Sequence, residues 1–453
     1  MLGEKRIRGI AERVLAASEA DETEVVIFGL EERLTRFANN FIHQNVAETN
    51  VAAVVRVALG KRVGTATTND LSDVGLERAV EQATAAARLS PEDPDYPGLP
   101  EPTPVEPVEA FDERTAAYTP ADRARDVGAI CRQAEAKGVT ASGAFRTSVH
   151  EFAVANSHGL FAYHPTTIAD LTTVVMADDS AGYAAGASWK VEEVDGVGLG
   201  AEAIERALRG RNPQPLEPGT YPVVLEAYAV ADIVAFITQM AGAMLVSEGR
   251  SWMTGRQGER LMSPLISIWD DGRDPAGWPL PFDFEGMPRR RVDIVREGVV
   301  GEPVYDRRWA RKEGKTSTGH ALPLSNPLSP WLSGGAAGPL PLHPVMGAGE
   351  HAVEEMIASV SRGLYVTRFH YTRMVHPRDA VITGMTRDGT FLIEDGEITV
   401  PVKNLRFTQS YVEALASVEM VGRVLRRQRT GLGILRAPAL KLSAFRFTGA
   451  TTF

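Results

Sequence analysis

The chain has 453 residues, 44% hydrophobic and 23% charged, the balance of a folded globular protein with room for two or three domains. Forty-eight Lys and Arg against 58 Asp and Glu leave a formal charge of −10, which argues against a general nucleic-acid or anionic-membrane binder. One cysteine, Cys131, excludes an internal disulfide and any multi-thiolate zinc or iron–sulfur site.

The N-terminal MLGEKRIRGIAERVLAA has helical spacing from Glu4 to Ala17 and no continuous apolar core, so a signal peptide is not expected and the simplest location is the cytoplasm. Strands are expected over 24–29, 34–45 and 50–59. An Ala-rich helix over 74–89 follows, capped by Ser72 or Asp73. Residues 1–90 thus read as an N-terminal α/β part. Residues 91–107 hold seven prolines and read as a stiff, extended connector. Residues 108–220 read as a helix plus antiparallel strands. The helix opens at Thr119-Pro120-Ala121-Asp122, and 139–190 alternates as a strand meander. Gly196-x-Gly198-x-Gly200 has the wrong spacing for a dinucleotide fingerprint and lacks the Lys-Ser/Thr of a P-loop, so it reads as a helix entry.

Residues 221–453 read as a β-rich domain. After a strand at 221–226 comes AYAVADIVAFITQMAGAMLV (227–246), with Asp232 as its single charge. Its length suits a bilayer, but Asp232, Thr238 and Gln239 are costly in lipid and no basic cluster flanks it, so a buried helix is expected and no membrane. Residues 263–350 are loop-rich and include a flexible glycine-rich loop at 333–338. Strands return over 363–370, 380–384 and 389–394, the last followed by a turn at Asp395-Gly396. The expected class is α+β: two domains with mixed or antiparallel sheets, an N-terminal α/β domain and a C-terminal β-rich domain around a buried central helix.

Chemistry-bearing patterns are few. No two of the nine histidines lie three to five residues apart, so no helical turn offers two imidazoles to zinc. No G-x-S-x-G elbow is present, and Cys131 sits among apolar helix neighbours, buried rather than nucleophilic. No catalytic residue, metal ligand or cofactor is assigned. The densest polar run is RFHYTRMVHPR (368–378). There His370, Tyr371, Arg373, His376 and Arg378 are the candidate substrate-binding residues, because imidazoles and guanidinium forks suit a carboxylate or phosphate. A solvated or subunit-facing strand explains the run equally well. From residue 402 on, nine basic side chains face two acids, which suggests pairing with the acidic majority or a subunit interface.

Several segments together resemble the TldD/TldE (PmbA) family. They are LTRFANNFIHQNV (34–46), VGTATTNDLS (63–72), TGRQGERL (254–261), PFDFEGMPRRR (281–291), TSTGHA (316–321) and FLIEDGEITVPVKNLRF (391–407), in that family's order and spread over nearly the whole chain. The resemblance implies two related subunits. The TldD type carries H-E-x-x-x-H on the central helix plus a later cysteine, which bind zinc for peptide hydrolysis; the TldE type lacks them. Here the equivalent helix has no histidine, and 429–442 has no cysteine. The chain therefore resembles the metal-free type, with Ala235, Phe236, Ile237, Met240 and Ala241 filling a core or a dimer contact. The 368–378 strand departs from the TldE pattern.

The implied function is a non-catalytic TldE/PmbA-like subunit of a heterodimeric metallopeptidase that processes unfolded or small peptides. Its partner would be a TldD-like zinc peptidase subunit or a second copy of itself, and its antiparallel sheet offers an extended peptide an edge. One alternative is a self-sufficient hydrolase or lyase using His370, Tyr371, Arg373 and His376. Another is a DNA gyrase-binding regulator, suggested by the family's older description as modulators of that enzyme.

Overall fold

The computed structural model describes residues 1–325, 338–431 and 433–450. Residues 333–337 of the expected glycine-rich loop lie outside the described residues.

Helix α1 (Glu4–Ala16) leads into two long strands, β1 (Glu22–Ala38) and β2 (Phe41–Leu59), which form one hairpin. The single strand expected over 34–45 is corrected to two. The chain reverses at Asn39 and Asn40, with φ of 51° and 62°, the left-handed pair that a two-residue hairpin turn needs and that Asn tolerates. β3 (Arg62–Thr68), β4 (Thr140–Asn156), β5 (Phe161–Met176) and β6 (Ala181–Ser188) complete an antiparallel sheet in the order β3-β2-β1-β4-β5-β6. Because β1 pairs with β4, residues on both sides of the proline-rich segment share this sheet.

Helices cover one face of it. α1 and α2 (Asp73–Leu89) bury Ile7, Ile10, Val14, Leu76 and Val80 against Val25, Ile27 and Val55. After the short α3 (Glu113–Ala116), α4 (Pro120–Ala136) and α5 (Gly196–Arg209) bury Val127, Ile130, Ala203 and Ile204 against Phe145, Leu171 and Val175. The starts are capped as the sequence suggests. Ser72 accepts from the Gly75 amide, Thr119 and Asp122 form a capping box, and Asp195 caps the glycine-rich entry of α5. At each edge strand a glycine admits a helix backbone. A Cβ on Gly64 of β3 would stand 2.1 Å from the Ala83 carbonyl oxygen, and one on Gly182 of β6 would stand 2.0 Å from that of Ala203. The opposite face packs Val26, Phe28, Phe152 and Val154 on Leu280, Phe282, Phe284 and Leu342 of the loop-rich region.

β7 (Thr220–Leu225) leads into α6 (Ala227–Gln239) and α7 (Ala243–Ser247). The continuous helix expected over 227–246 is corrected: it breaks before Gly242, where a Cβ would meet the Pro339 carbonyl oxygen at 2.1 Å. Among the described residues no helix is long and apolar enough to cross a membrane. β8 (Ile268–Asp270), β9 (Val292–Arg296), β10 (Val299–Val300), α8 (Arg307–Glu313), β11 (Pro344–Met346) and α9 (Val353–Ala358) follow. Next come β12 (Arg362–His376), β13 (Val381–Glu394), β14 (Glu397–Pro401), β15 (Leu405–Ser410), α10 (Tyr411–Ala416), β16 (Val418–Val421), β17 (Arg426–Thr430), β18 (Gly433–Ala437) and β19 (Leu440–Ala450).

Five of these strands close on themselves. β12 lies parallel to β7, β7 pairs with β19, β19 with β15, β15 with β13, and β13 returns to β12. The barrel core of Leu364, Phe369, Phe407, Phe445 and Phe447 is continuous with Val230, Ile233, Val234 and Ile237 of α6. A second mixed sheet runs β10-β9-β8-β11-β18-β17. The molecule is thus α+β with antiparallel and mixed sheets around a central helix.

Candidate functional site

The polar run 368–378 occupies the outer half of β12 and the turn after it, and His370, Tyr371, Arg373, His376 and Arg378 are all exposed. A bulge between the pairs His370–Met385 and Arg373–Thr383 sets Tyr371 at φ 54° with 62% of its surface open. The Arg373 guanidinium lies 4.7 Å over the Tyr371 ring. His376 Nδ1 is 3.0 Å from Asp379 Oδ2, and the Arg378 carbonyl accepts from Arg256 at 3.5 Å. The His370 pKa is held below its ordinary value by partial burial and by the Arg368 and Arg387 charges. The structure therefore gathers His370 with Tyr371 and Arg373 on an open strip, with His376 and Arg378 at its far end.

Beneath this strip lies α6. Its inner face is fully buried, whereas Asp232, Ala235, Phe236 and Gln239, spaced i, i+3, i+4 and i+7, keep some exposure. Ile237, Met240 and Ala241 are core, and Ala235 and Phe236 pack against it. Thr372 Oγ1 donates to Asp232 Oδ2 at 2.7 Å, and the Tyr411 hydroxyl donates to Oδ1 at 2.7 Å. Burial raises the Asp232 pKa and these two donors oppose the rise. Among the described residues no three His, Cys, Asp or Glu side chains form a group able to hold a metal ion. The donor set at Asp232 is one carboxylate with two hydroxyls, which does not fit zinc.

A third feature joins the two halves of the chain. β17 runs beside β6, and its arginines pair with acids of the N-terminal part. Arg426 donates to Glu202 at 2.8 Å and to the Tyr228 hydroxyl at 3.0 Å, while Arg427 pairs with Glu193 and Arg429 with Asp170. Arg436 of β18 pairs with Asp274 of the loop region. The Tyr228 hydroxyl stands 3.1 Å from both the amide nitrogen and the carbonyl oxygen of Ala185, occupying the free edge of β6. A cavity of about 500 Å³ remains between β6 and β17, lined by Arg146, His150, Asp170, Tyr183, Gln428 and Arg429. Burial and the neighbouring Arg429 and Arg146 push the His150 pKa down to about 3, so this imidazole is neutral.

Two groupings were not visible in the sequence. In one, His320 Nε2 lies 3.0 Å from Asp270 Oδ1 and the His343 amide donates to Asp270 Oδ2 at 2.6 Å, beside a fully buried Arg289. The other is the Asp232–Thr372–Tyr411 cluster. Only the costliness of Asp232 in an apolar helix hinted at it; the residues of the first grouping are scattered over 73 positions without periodic spacing.

The comparisons with known proteins agree with this architecture. Family models match residues 24–87 (PmbA/TldA metallopeptidase domain 1), 99–211 (central domain) and 218–449 (C-terminal domain). The chain belongs to the PmbA/TldD family. It is 23% identical to Metalloprotease PmbA of Escherichia coli O157:H7 over 403 residues, 84% of this chain and 83% of that one. To the Metalloprotease TldD homolog of Haemophilus influenzae it is 29% identical over 243 residues, 52% of this chain and 48% of the homolog, so it spans about half the length of that relative. TldE from Thermococcus kodakarensis superposes with a TM-score of 0.87 at 20% identity, covering 98% of this chain and 100% of that one. At that identity the likeness speaks for the fold.

Proposed function

We propose that this chain is the metal-free subunit of a TldD/TldE-type metallopeptidase, completing with a zinc-bearing TldD-like partner a site for unfolded or small peptides. The observation that carries this reading is the Asp232 cluster. On the helix where the resemblance sets the zinc motif of the TldD type, the lone carboxylate is engaged by Thr372 and Tyr411, with Ala235, Phe236 and Gln239 beside it. Such a helix shapes and seals; it does not activate water. The metalloprotease names of the relatives support a peptidase setting.

The open 370–378 strip is where the partner or its peptide docks. Tyr371 and the nearby arginines have the aromatic and guanidinium character enriched at protein interfaces. Light scattering on a mixture of this chain with a TldD-type subunit tests the assembly. A one-to-one complex that Tyr371→Ala and Arg373→Ala weaken is the expected result. Two separate species at micromolar concentration would sink the reading.

A further inference from the structure

A cavity of about 680 Å³ opens where the β5–β6 turn of the N-terminal sheet meets β13 of the barrel and the segment that links β14 to β15. Its barrel side carries Arg387, Asp388, Thr390 and Lys403, and its turn side carries Asp178 and Asp179. A bulge shapes the barrel side. Between the pairs Val366–Thr390 and Arg368–Arg387, β12 contributes one residue and β13 two, Asp388 at φ 56° and Gly389 at φ 134°. An extra residue of this kind re-aims its neighbours, and a non-glycine held at positive φ is a cost that functional sites tolerate.

The bulge commits Asp388 elsewhere. Its buried carboxylate lies 2.6 Å from Arg368 Nε, and Arg368 is held in turn over the Tyr183 ring at 4.0 Å. Arg387 reaches Asp388 only at 3.6 Å, without a hydrogen bond. Lys403, half-buried, makes no ion pair to the acids of the described residues. Thr390 is 3% exposed and its hydroxyl has no hydrogen-bond partner among the described residues, a rare state for a buried hydroxyl. On this wall Lys403 and the Thr390 hydroxyl thus lack a partner among the described residues, and Arg387 is only loosely paired, keeping its hydrogen-bond donors toward the carboxylate free. On the other, Asp178 and Asp179 are exposed, and Asp179 is held at the rim by the Asn212 amide at 3.0 Å.

We propose that this cavity binds a short free peptide by its two charged ends, the carboxylate at Arg387 and Lys403 and the ammonium at Asp178 and Asp179. The Arg fork suits a carboxylate and Lys adds a point charge. The volume lies within the usual range for small-ligand sites, roughly 300–1,000 Å³. An inorganic oxyanion satisfies the cationic wall but is repelled by the aspartates, so the sorted charges favour a zwitterion. Binding is a property of the isolated chain and does not depend on the peptidase reading.

Titration calorimetry of the purified chain at about 0.05 M salt, where surface charges are weakly screened, tests this with four probes: trialanine, trialanine amide, N-acetyl-trialanine and inorganic phosphate. Trialanine should bind, and removing either terminal charge should weaken it about tenfold or more. Arg387→Gln and Lys403→Gln should weaken trialanine to a similar degree while the thermal unfolding of the chain is unchanged. Asp178→Asn with Asp179→Asn should erase the penalty for N-acetylation. No trialanine binding, equal binding of the blocked peptides, phosphate binding tighter than trialanine, or an unaffected Lys403→Gln variant would each overturn the proposal.

Discussion

The Tyr411 hydroxyl donates a 2.7 Å hydrogen bond to Oδ1 of Asp232 and so ties α10 to the central helix, while Thr372 ties β12 to the other carboxylate oxygen. Tyr411 is fully buried, and burial together with the Asp232 charge holds its pKa well above the ordinary phenol value, so it remains a donor throughout the accessible pH range. Three elements far apart in sequence therefore meet on one acid. Removing one donor strands a buried acceptor. Tyr411→Phe should cost about 1–3 kcal/mol of folding free energy, and Asp232→Asn, which keeps an acceptor, should cost less. Urea denaturation of both variants checks this; equal losses would contradict the assignment.

The dependence of stability on pH follows from groups with opposite shifts. Burial and then the Glu285 carboxylate push the Asp306 pKa up to about 7, and the same causes raise that of Asp283. At these two acids the fold therefore keeps protons that the unfolded chain has already released, and their contribution to stability falls as pH rises from about 4 to about 7. In the other direction His150 and His343, pushed down to about 3 by burial, stay neutral while the unfolded chain protonates its histidines. Stability is thus also lost as pH drops below about 6.5. Asp306→Asn preserves the cap on α8, where Oδ1 accepts from the Trp309 amide, and should flatten the fall between pH 4 and 7. An unchanged slope in urea titrations across that range would contradict the raised pKa.

The arginine hairpin should behave as a charge-locked joint. Arg426, Arg427 and Arg429 hold β17 against acids of the N-terminal part. Arg426→Ala combined with Arg429→Ala should speed amide hydrogen exchange in β17, β18 and at Ala185 without changing exchange in the barrel strands. In the wild-type chain, raising salt to about 1 M should reproduce part of the effect, because partly exposed pairs are screened. Exchange unaffected by either change would show that packing alone fixes the hairpin.

Local elements were legible in the sequence where one residue type decides them. The Ser72 and Thr119 caps, the meander over 139–190 and the glycine-rich start of α5 stand where the pattern sets them. Where sequence and fold differ, the cause is a locally ambiguous pattern or a contact made far along the chain. Strand-like flanks on both sides mask the reversal at Asn39-Asn40, and the helix break before Gly242 coincides with the approach of Pro339, nearly a hundred residues away. The parallel β7–β12 pairing and the β12–β13 closure join residues whose proximity no periodicity encodes. The excess of arginines after residue 402 pointed to intramolecular pairing, yet only the fold names Glu202, Glu193 and Asp170 as partners. For the candidate strip, composition located 368–378, but its openness depends on the bulge at Tyr371.

The two edge glycines give a packing prediction. Gly64→Ala and Gly182→Ala each force a Cβ to within about 2 Å of a helix carbonyl oxygen, so α2 or α5 must lift from its edge strand. Overpacking of this kind costs typically about 1–3 kcal/mol, which for a chain of this length corresponds to a fall in melting temperature of about 1–3 °C. Wild-type melting in both variants would show that the helices have slack the close approach denies.

Hydrolysis of an unfolded peptide by this chain alone, by a zinc-loaded TldD-type subunit alone, and by a one-to-one mixture tests the metal-free subunit role most directly. The expected result is no turnover by the chain alone, turnover in the mixture well above that of the zinc subunit alone, and loss of the mixture's activity on chelation. Metal-dependent hydrolysis by the purified chain on its own would contradict it.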